Sequence, residues 1–153
     1  VIIPILSEGF TGDLIYWQGR AYDWTPEVQR PKYLNPHATG SSRGVWFTQP
    51  EACDRRIITE DFLSAYRIYR AGYSTCCLLG TKLSNSVLNR LLSSGVPATI
   101  WLDNDTGRRD NPGQDAARKI LRNLRSLGLT VGNIVSDRDP KSYSRKEIQW
   151  QLS

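Results

Sequence analysis

The chain has one histidine, His37, no methionine and only three cysteines in 153 residues. A single imidazole excludes a His-rich metal centre. Cys76 and Cys77 are adjacent inside an apolar run, and the third, Cys53, lies well upstream. That spacing matches neither a disulfide framework nor a zinc ligand set, so no zinc is expected. No signal peptide is visible, and no apolar run reaches membrane-spanning length, so no membrane partner is expected. Together these absences predict a reducing, cytosolic setting. The chain begins at Val1 without an initiator Met, which suggests a piece of a longer protein.

What is present is enough apolar and aromatic material, including five Trp, to build a core for one domain or a domain with a small neighbour. The formal charge of +5 is unevenly spread. Residues 1–55 carry five Lys/Arg against six Asp/Glu, a net of −1; residues 56–153 carry fifteen against nine, a net of +6. A basic half that also holds clustered acids suits a polyanion handled through metal ions. A solvated basic surface is the alternative reading of the charge alone.

The strand–helix pattern changes near the same point. Residues 1–55 read as a small β-rich unit: a strand over 1–6, a turn at Phe10-Thr11-Gly12-Asp13, a strand over 14–21 and a Pro-rich irregular stretch over 25–42. Val45-Trp46-Phe47 is a short apolar segment, and 49–55 links the parts. From Arg56 the expected order is strand 56–59, helix 61–71, strand 74–79, helix 85–94, strand 98–102, helix 114–127, strand 129–135 and a last helix capped by Ser144. Phe62, Ala65, Tyr66 and Tyr69 lie at helical spacing, and Gly72, Gly95 and Gly128 are helix stops. Repeated units of this length predict an α/β fold with a parallel sheet covered by helices on both faces.

The sharpest local feature is Ile100-Trp101-Leu102-Asp103-Asn104-Asp105, an apolar strand that ends in two acids at i and i+2. On extended backbone such residues face the same way. Two carboxylates directed into one space repel, and a hard divalent cation such as Mg²⁺ relieves that cost. In parallel sheets ligands bind beyond the C-terminal strand ends. That rule selects Glu60 after the first strand, Gly80-Thr81 after the second, Asp103 and Asp105 after the third, and Asp137 and Asp139 after the fourth. Each has a plain structural reading as well: Glu60 as a helix-dipole partner, the acid pairs as turn formers. Arg118, Arg122 and Arg125 form a stripe at i, i+4, i+7, readable as a solvated face or as phosphate-backbone contacts. Arg30, Lys32, Tyr33 and Asn35 place basic, aromatic and amide groups together, a combination suited to nucleotide or template contact.

Glu60, Asp103-x-Asp105 and Asp137/Asp139 together resemble the Toprim domain, shared by bacterial-type primases, type IA and type II topoisomerases and some nucleases. Its signature is a Glu after the first strand and D-x-D after the third. Upstream, Ile3-Pro4-Ile5, Gly12-Asp13-Leu14-Ile15, Gly19-Arg20 and Pro31-Lys32-Tyr33-Leu34-Asn35 look like the region that precedes Toprim in bacterial and phage primases. Gly80-Thr81 and Asp139-Pro140 also match primase positions. The resemblance runs from about Ile3 to Tyr143.

It implies a Toprim-like four-stranded parallel sheet over 56–153, preceded by a small β-rich primase-type subdomain over 1–55. The implied activity is that of a DNA primase catalytic core, a nucleotidyltransferase that makes short RNA primers on single-stranded DNA during replication. Glu60, Asp103 and Asp105 would be catalytic, and with Asp137 and Asp139 would hold two Mg²⁺ ions, for which Mn²⁺ can substitute. Arg20, Lys32, Tyr33, Asn35, Thr81 and Lys141 would contact nucleotide and template. Arg108, Arg109, Arg118, Arg122 and Arg125 would meet the DNA backbone. Implied partners are single-stranded DNA, ribonucleoside triphosphates, the RNA primer and a replicative helicase, in a bacterial cytoplasm, as a phage-like protein. The family places Gly after the Glu and Asp three residues on; here these are Asp61 and Ser64. The loop after Asp105 is also longer than the family's, with 106–112 preceding Gly113-Gln114-Asp115-Ala116-Ala117. Two rivals stay open: a Toprim nuclease using the same acids to activate water, against which the Pro31–Asn35 segment argues, and a non-catalytic nucleic-acid-binding Toprim module.

Overall fold

The structure, a computed structural model, describes residues 1–8, 11–25, 27–29, 31, 33–34, 44–49, 54–105 and 110–153, with the side chains of Ser7 and Tyr33 excepted. Among these, two sheets carry the fold. The first is antiparallel, with β1 (Ile2–Glu8), β2 (Thr11–Arg20) and β3 (Tyr33–Leu34) in that spatial order. β1 and β2 form the expected hairpin, in a register that sets Ile5 opposite Tyr16. Ile2 and Leu14 are exposed while Ile5 is fully buried. The hairpin is therefore wet except where it lies against the second sheet.

That second sheet has five strands: β4 (Val45–Phe47), β5 (Arg56–Thr59), β6 (Ser74–Cys77), β7 (Ala98–Ile100) and β8 (Val131–Asn133). Their spatial order is β4-β6-β5-β7-β8. The last four in sequence are parallel, as expected, and β4 adds an antiparallel edge to β6. The apolar triplet Val45-Trp46-Phe47, from the segment before Arg56, is thus part of the main sheet. All three residues are buried, which explains an apolar triplet with no polar alternation.

Among the described residues four helices cover the sheet: α1 (Phe62–Arg70), α2 (Asn85–Ser94), α3 (Pro112–Ser126) and α4 (Arg145–Leu152). Successive residues of β5 show the division. Ile58 packs with Val87, Leu91, Ala117, Ile120 and Leu124 of α2 and α3. Ile57 packs on the opposite face with Ile68 of α1, Ala71 just after it, and Ile148 and Leu152 of α4. A third cluster, Ile5, Val45, Phe47, Phe62, Ala65 and Cys77, joins the hairpin to β4, β6 and α1. Arg90 of α2 reinforces that junction by holding both carboxylate oxygens of Glu8 at 2.8 and 3.1 Å while its guanidinium lies 4.3 Å from the Trp46 ring centroid.

Helix ends follow local chemistry. Ser84 caps α2 through the Val87 N–H, and Gly95 ends it with φ of +62°, a conformation that disfavours a side chain. Ser144 and Glu147 form a reciprocal capping box at α4. α3 begins earlier than helical periodicity alone predicts, because Asn111 caps it and Pro112 occupies its first turn. Among the described residues no helix is long and apolar enough to cross a membrane.

The strand order has a functional consequence. The chain moves from β5 to β6 on one side, then crosses back to β7 on the other. The order reverses between β5 and β7, and a crevice opens at their C-terminal ends. Glu60 follows β5 directly, and Asp103 follows β7 by three residues.

Candidate active site

Glu60 and Asp61 leave β5 at the start of α1. The Glu60 carbonyl accepts from the Gly80 N–H at 2.9 Å, tying the β5 and β6 ends together. Beside Gly80, Leu79 adopts φ of +53°, a left-handed conformation that costs free energy for a branched residue. Asp61 caps α1: Oδ1 accepts from the N–H groups of Leu63 and Ser64 at 2.9 and 3.1 Å, and Oδ2 accepts from the Ser64 hydroxyl at 2.7 Å. A carboxylate at this end of a helix also meets the favourable pole of its dipole.

Asp103 arrives from β7. Trp101, two residues earlier, is fully buried in the α1/α4 cluster, and its Nε1 donates to the Ser136 hydroxyl at 2.8 Å. The Asp103 backbone is pinned by α3, because an added Cβ on Gly113 would lie 2.1 Å from the Asp103 carbonyl oxygen and 3.5 Å from Glu60 Oε2. Only glycine permits that approach. An amide chain links the rim loops: Asn104 Nδ2 donates to the Ser136 carbonyl at 2.7 Å, Asn111 Nδ2 to Asn104 Oδ1 at 2.7 Å, and the Gln114 N–H to Asn111 Oδ1 at 3.2 Å.

Lys141 enters from the opposite side on a single 3₁₀ turn, Pro140–Ser142, that follows β8. Its carbonyl accepts from Arg67 Nε at 3.3 Å, which seats the turn on α1. Its ammonium lies 3.1 Å from Asp61 Oδ2, 3.1 Å from Asp103 Oδ2 and 2.8 Å from Asp139 Oδ2. Three carboxylates from three segments of the sequence thus share one lysine. The Lys141 side chain is 22 % exposed and those of Asp61 and Asp103 are 20 % exposed, so these charges interact with little screening.

The electrostatics are lopsided. Burial, then the Asp103, Asp61 and Asp105 carboxylates, push Glu60 from 4.5 to about 7, with Lys141 opposing. Burial also raises Asp103 to about 6; Lys141 lowers it, while Asp61 and Asp139 raise it. Burial disfavours the Lys141 ammonium, but Asp61, Asp139 and Asp103 more than offset this and hold its pKa above the usual lysine value. One ammonium therefore leaves the cluster short of positive charge.

The expected residues divide accordingly. Glu60, Asp103, Asp105 and Asp139 converge, joined by Asp61 and Lys141. Asp137 does not join them: it is exposed, accepts a hydrogen bond from the Tyr143 hydroxyl and lies 3.6 Å from Arg138. The hydrogen bond with Tyr143 is the main reason its carboxyl titrates below the usual range. The set of Glu60, Asp103, Asp105, Asp137 and Asp139 is not assembled into an ion cage. Among the described residues no three such groups stand close enough to hold a metal. Asp137 is engaged with Tyr143 and Arg138, and the Lys141 ammonium lies among Asp61, Asp103 and Asp139. Lys141, expected to meet nucleotide, is here the counter-ion of the acids.

Arg118 is paired with Asp115 one turn back. Arg125 donates from Nε and Nη2 to the Val131 carbonyl at 3.1 and 2.8 Å, so it ties the end of α3 to β8. Arg122 is exposed. Thr81 is half-buried beside an open groove formed with Lys82, Pro112 and Lys119. Arg20 lies at the end of β2, where its backbone pairs with Val1. Lys32, Asn35, Arg108 and Arg109, as well as Arg30 and the Tyr33 side chain, lie outside the described residues. Sequence reasoning did not select Asn104, Asn111 and Ser136 for the site. The one available signal was Asn111-Pro112, a helix-start pair.

The remaining groups do suit a hard cation. Asp103 Oδ1 is buried with no hydrogen-bond partner. Glu60 carries a repulsion that a divalent ion would relieve, and all the donors are carboxylate oxygens. Glu60, Asp103 and Asp105 would supply oxygens to such an ion, although among the described residues no three acids are already placed to hold one.

No family model matches the chain, and no curated protein matches its sequence. Solved structures do. The zinc-binding and RNA polymerase domains of the Aquifex aeolicus primase align with a TM-score of 0.69 at 24 % identity, covering 99 % of this chain and 39 % of that one. The RNA polymerase domain of Mycobacterium tuberculosis primase DnaG aligns at 0.69 and 17 % identity, covering 99 % and 53 %. A DNA primase domain from Pseudomonas aeruginosa aligns at 0.67 and 20 % identity, covering 99 % and 49 %. The chain spans between 39 % and 53 % of these structures, and over that span its fold is that of bacterial primase catalytic domains.

Proposed function

We propose that this chain is the Toprim-containing catalytic core of a DNA primase, which joins ribonucleotides into short primers on single-stranded DNA with Mg²⁺ or Mn²⁺. The observation that carries this reading is the convergence of Glu60, Asp103 and Asp105 at the strand-order reversal of a fold shared with primase catalytic domains. Glu60, raised to about 7, sits where a carboxylate can receive a proton from a hydroxyl near neutral pH. Asp103 and Asp105 would supply the negative charge that holds a cation beside Glu60. A bound Mg²⁺ would supply Lewis-acid stabilisation of charge on the transferring phosphoryl group. Gly113 and the Asn104–Asn111–Ser136 chain keep the acid-bearing loop in register with α3. The basic balance of residues 56–153 draws in the polyanionic template, primer and triphosphates. In this reading 1–55 is the primase-type N-terminal subdomain, which lends Val45–Phe47 to the main sheet as its edge, the setting is a bacterial cytoplasm, with the protein phage-like, and a replicative helicase is a partner.

A specific observation favours a second reading, a non-catalytic nucleic-acid-binding module: the Asp61, Asp103 and Asp139 carboxylates are already neutralised in part by Lys141. Incubating the chain with single-stranded DNA, ribonucleotides and Mg²⁺ or Mn²⁺ separates the readings. Primers that disappear in Asp103→Ala/Asp105→Ala support the primase. Cleavage without synthesis would point to a Toprim nuclease and end the primase reading, and binding without chemistry would favour the module.

A further inference from the structure

We infer that Lys141 is a built-in cation that takes the place of one divalent ion, so that the site binds one exchangeable metal fewer than its acids could hold. This deepens the reading of the acid crevice as a metal centre and rests on it. The geometry divides the carboxylate oxygens into two groups. Asp61 Oδ2, Asp103 Oδ2 and Asp139 Oδ2 all lie within 3.1 Å of the Lys141 ammonium. Asp103 Oδ1 is buried and has no hydrogen-bond partner. Asp103 therefore has one oxygen neutralised by the protein itself and one left without a hydrogen-bond partner.

Three observations make the lysine a fixture. Its side chain is largely enclosed. Its backbone is seated on α1 by Arg67, and Pro140 beneath it is buried. One of its partners, Asp61, is itself held by three hydrogen bonds at the start of α1. An ammonium offers hydrogen bonds to all three carboxylates but only a single charge, whereas a divalent ion would bring twice that charge and demand closer oxygens. Lys141 thus acts as a positioning residue: it keeps Asp61, Asp103 and Asp139 together without metal.

Mn²⁺ titration of the whole chain, followed by electron paramagnetic resonance of the free ion, tests this without recourse to activity. Wild type, Lys141→Gln and Lys141→Arg would be compared, with melting in EDTA as a second readout. The expected result is one additional Mn²⁺ per chain in Lys141→Gln, a lower melting temperature in EDTA that Mn²⁺ restores, and wild-type stoichiometry in Lys141→Arg. If Lys141→Gln does not fold in EDTA, Asp61→Asn/Lys141→Gln removes one carboxylate with the ammonium and keeps the test available; the added Mn²⁺ is again expected. An unchanged Mn²⁺ count in the folded variant, at zero or at any other value, overturns the inference. A rise from zero to one supports the role of Lys141 while ending the Mg²⁺-dependent primase reading, so the two fail separately.

Discussion

Replacing Glu60 by Gln should stabilise the protein at pH 8 while abolishing synthesis. Glu60 is raised from 4.5 to about 7, first by burial and then by Asp103, Asp61 and Asp105. A carboxyl whose folded pKa exceeds its unfolded value binds more protons when folded between those two pH values. Stability is then greatest below pH 4.5 and falls as pH rises through about 7. At 1.36 kcal/mol per pH unit, the full interval corresponds to about 3 kcal/mol. Glu60 is only partly buried, and solvent screening reduces this to roughly 1.5 kcal/mol. Gln keeps the shape and removes the charge, so Glu60→Gln should regain that amount above about pH 7.5, on the order of 3–6 °C in Tm for a chain of this size. Near pH 4.5 the two proteins should melt together. Thermal unfolding in EDTA at a series of pH values measures the difference directly. Adding Mg²⁺ should narrow or reverse the gap at pH 8, because a ligand that binds only the folded wild type stabilises it by mass action. A Tm difference that is independent of pH, or a variant less stable at pH 8 in EDTA, would refute the electrostatic account of Glu60.

Two other outcomes follow from the packing around the site. Gly113→Ala would set a Cβ 2.1 Å from the Asp103 carbonyl oxygen, so either the loop or the start of α3 must move. Overpacking against backbone costs about 1–3 kcal/mol; denaturant unfolding should show that loss, and primer synthesis should fall more steeply than stability alone explains. Arg125→Ala should lower stability by about 1 kcal/mol through loss of its two bonds to the Val131 carbonyl. Arg122→Ala should leave stability within about 0.5 kcal/mol and instead weaken single-strand binding with a shallower salt dependence; fluorescence anisotropy at several salt concentrations distinguishes the two arginines.

Local pattern was a good guide wherever a residue's neighbours in sequence decide its state. α2 runs over Asn85–Ser94, the range that Ser84 as a cap and Gly95 as a stop indicate. The parallel strands were legible as short apolar runs between helical periods, and the rule for strand ends led to Glu60 and Asp103. Patterning failed where pairing is remote. Val45–Phe47 reads as an unassigned apolar triplet because three residues carry no period; hydrogen bonding to β6 makes it the sheet edge. α3 starts at Pro112 rather than Gln114 because the Asn111 cap extends the helix beyond its apolar stripe.

The site shows the same division more sharply. That acids stand where an α/β sheet opens is a property of the chain's one-dimensional order: apolar strand, acid, helix, repeated. Which acids meet is not. Asp61, Asp103 and Asp139 are far apart in sequence and come together only because the strand order reverses between β5 and β7 and the 3₁₀ turn folds onto α1. Asp137 and Asp139 are equivalent as sequence, yet one bonds Tyr143 at the surface and the other pairs with Lys141. The raised pKa of Glu60 has the same origin, since burial and like charge are sums over neighbours in space. The sequence alone determined the class of fold and the charges available to the crevice. Tertiary structure decided their neighbours, and with them the place of Lys141 among the acids.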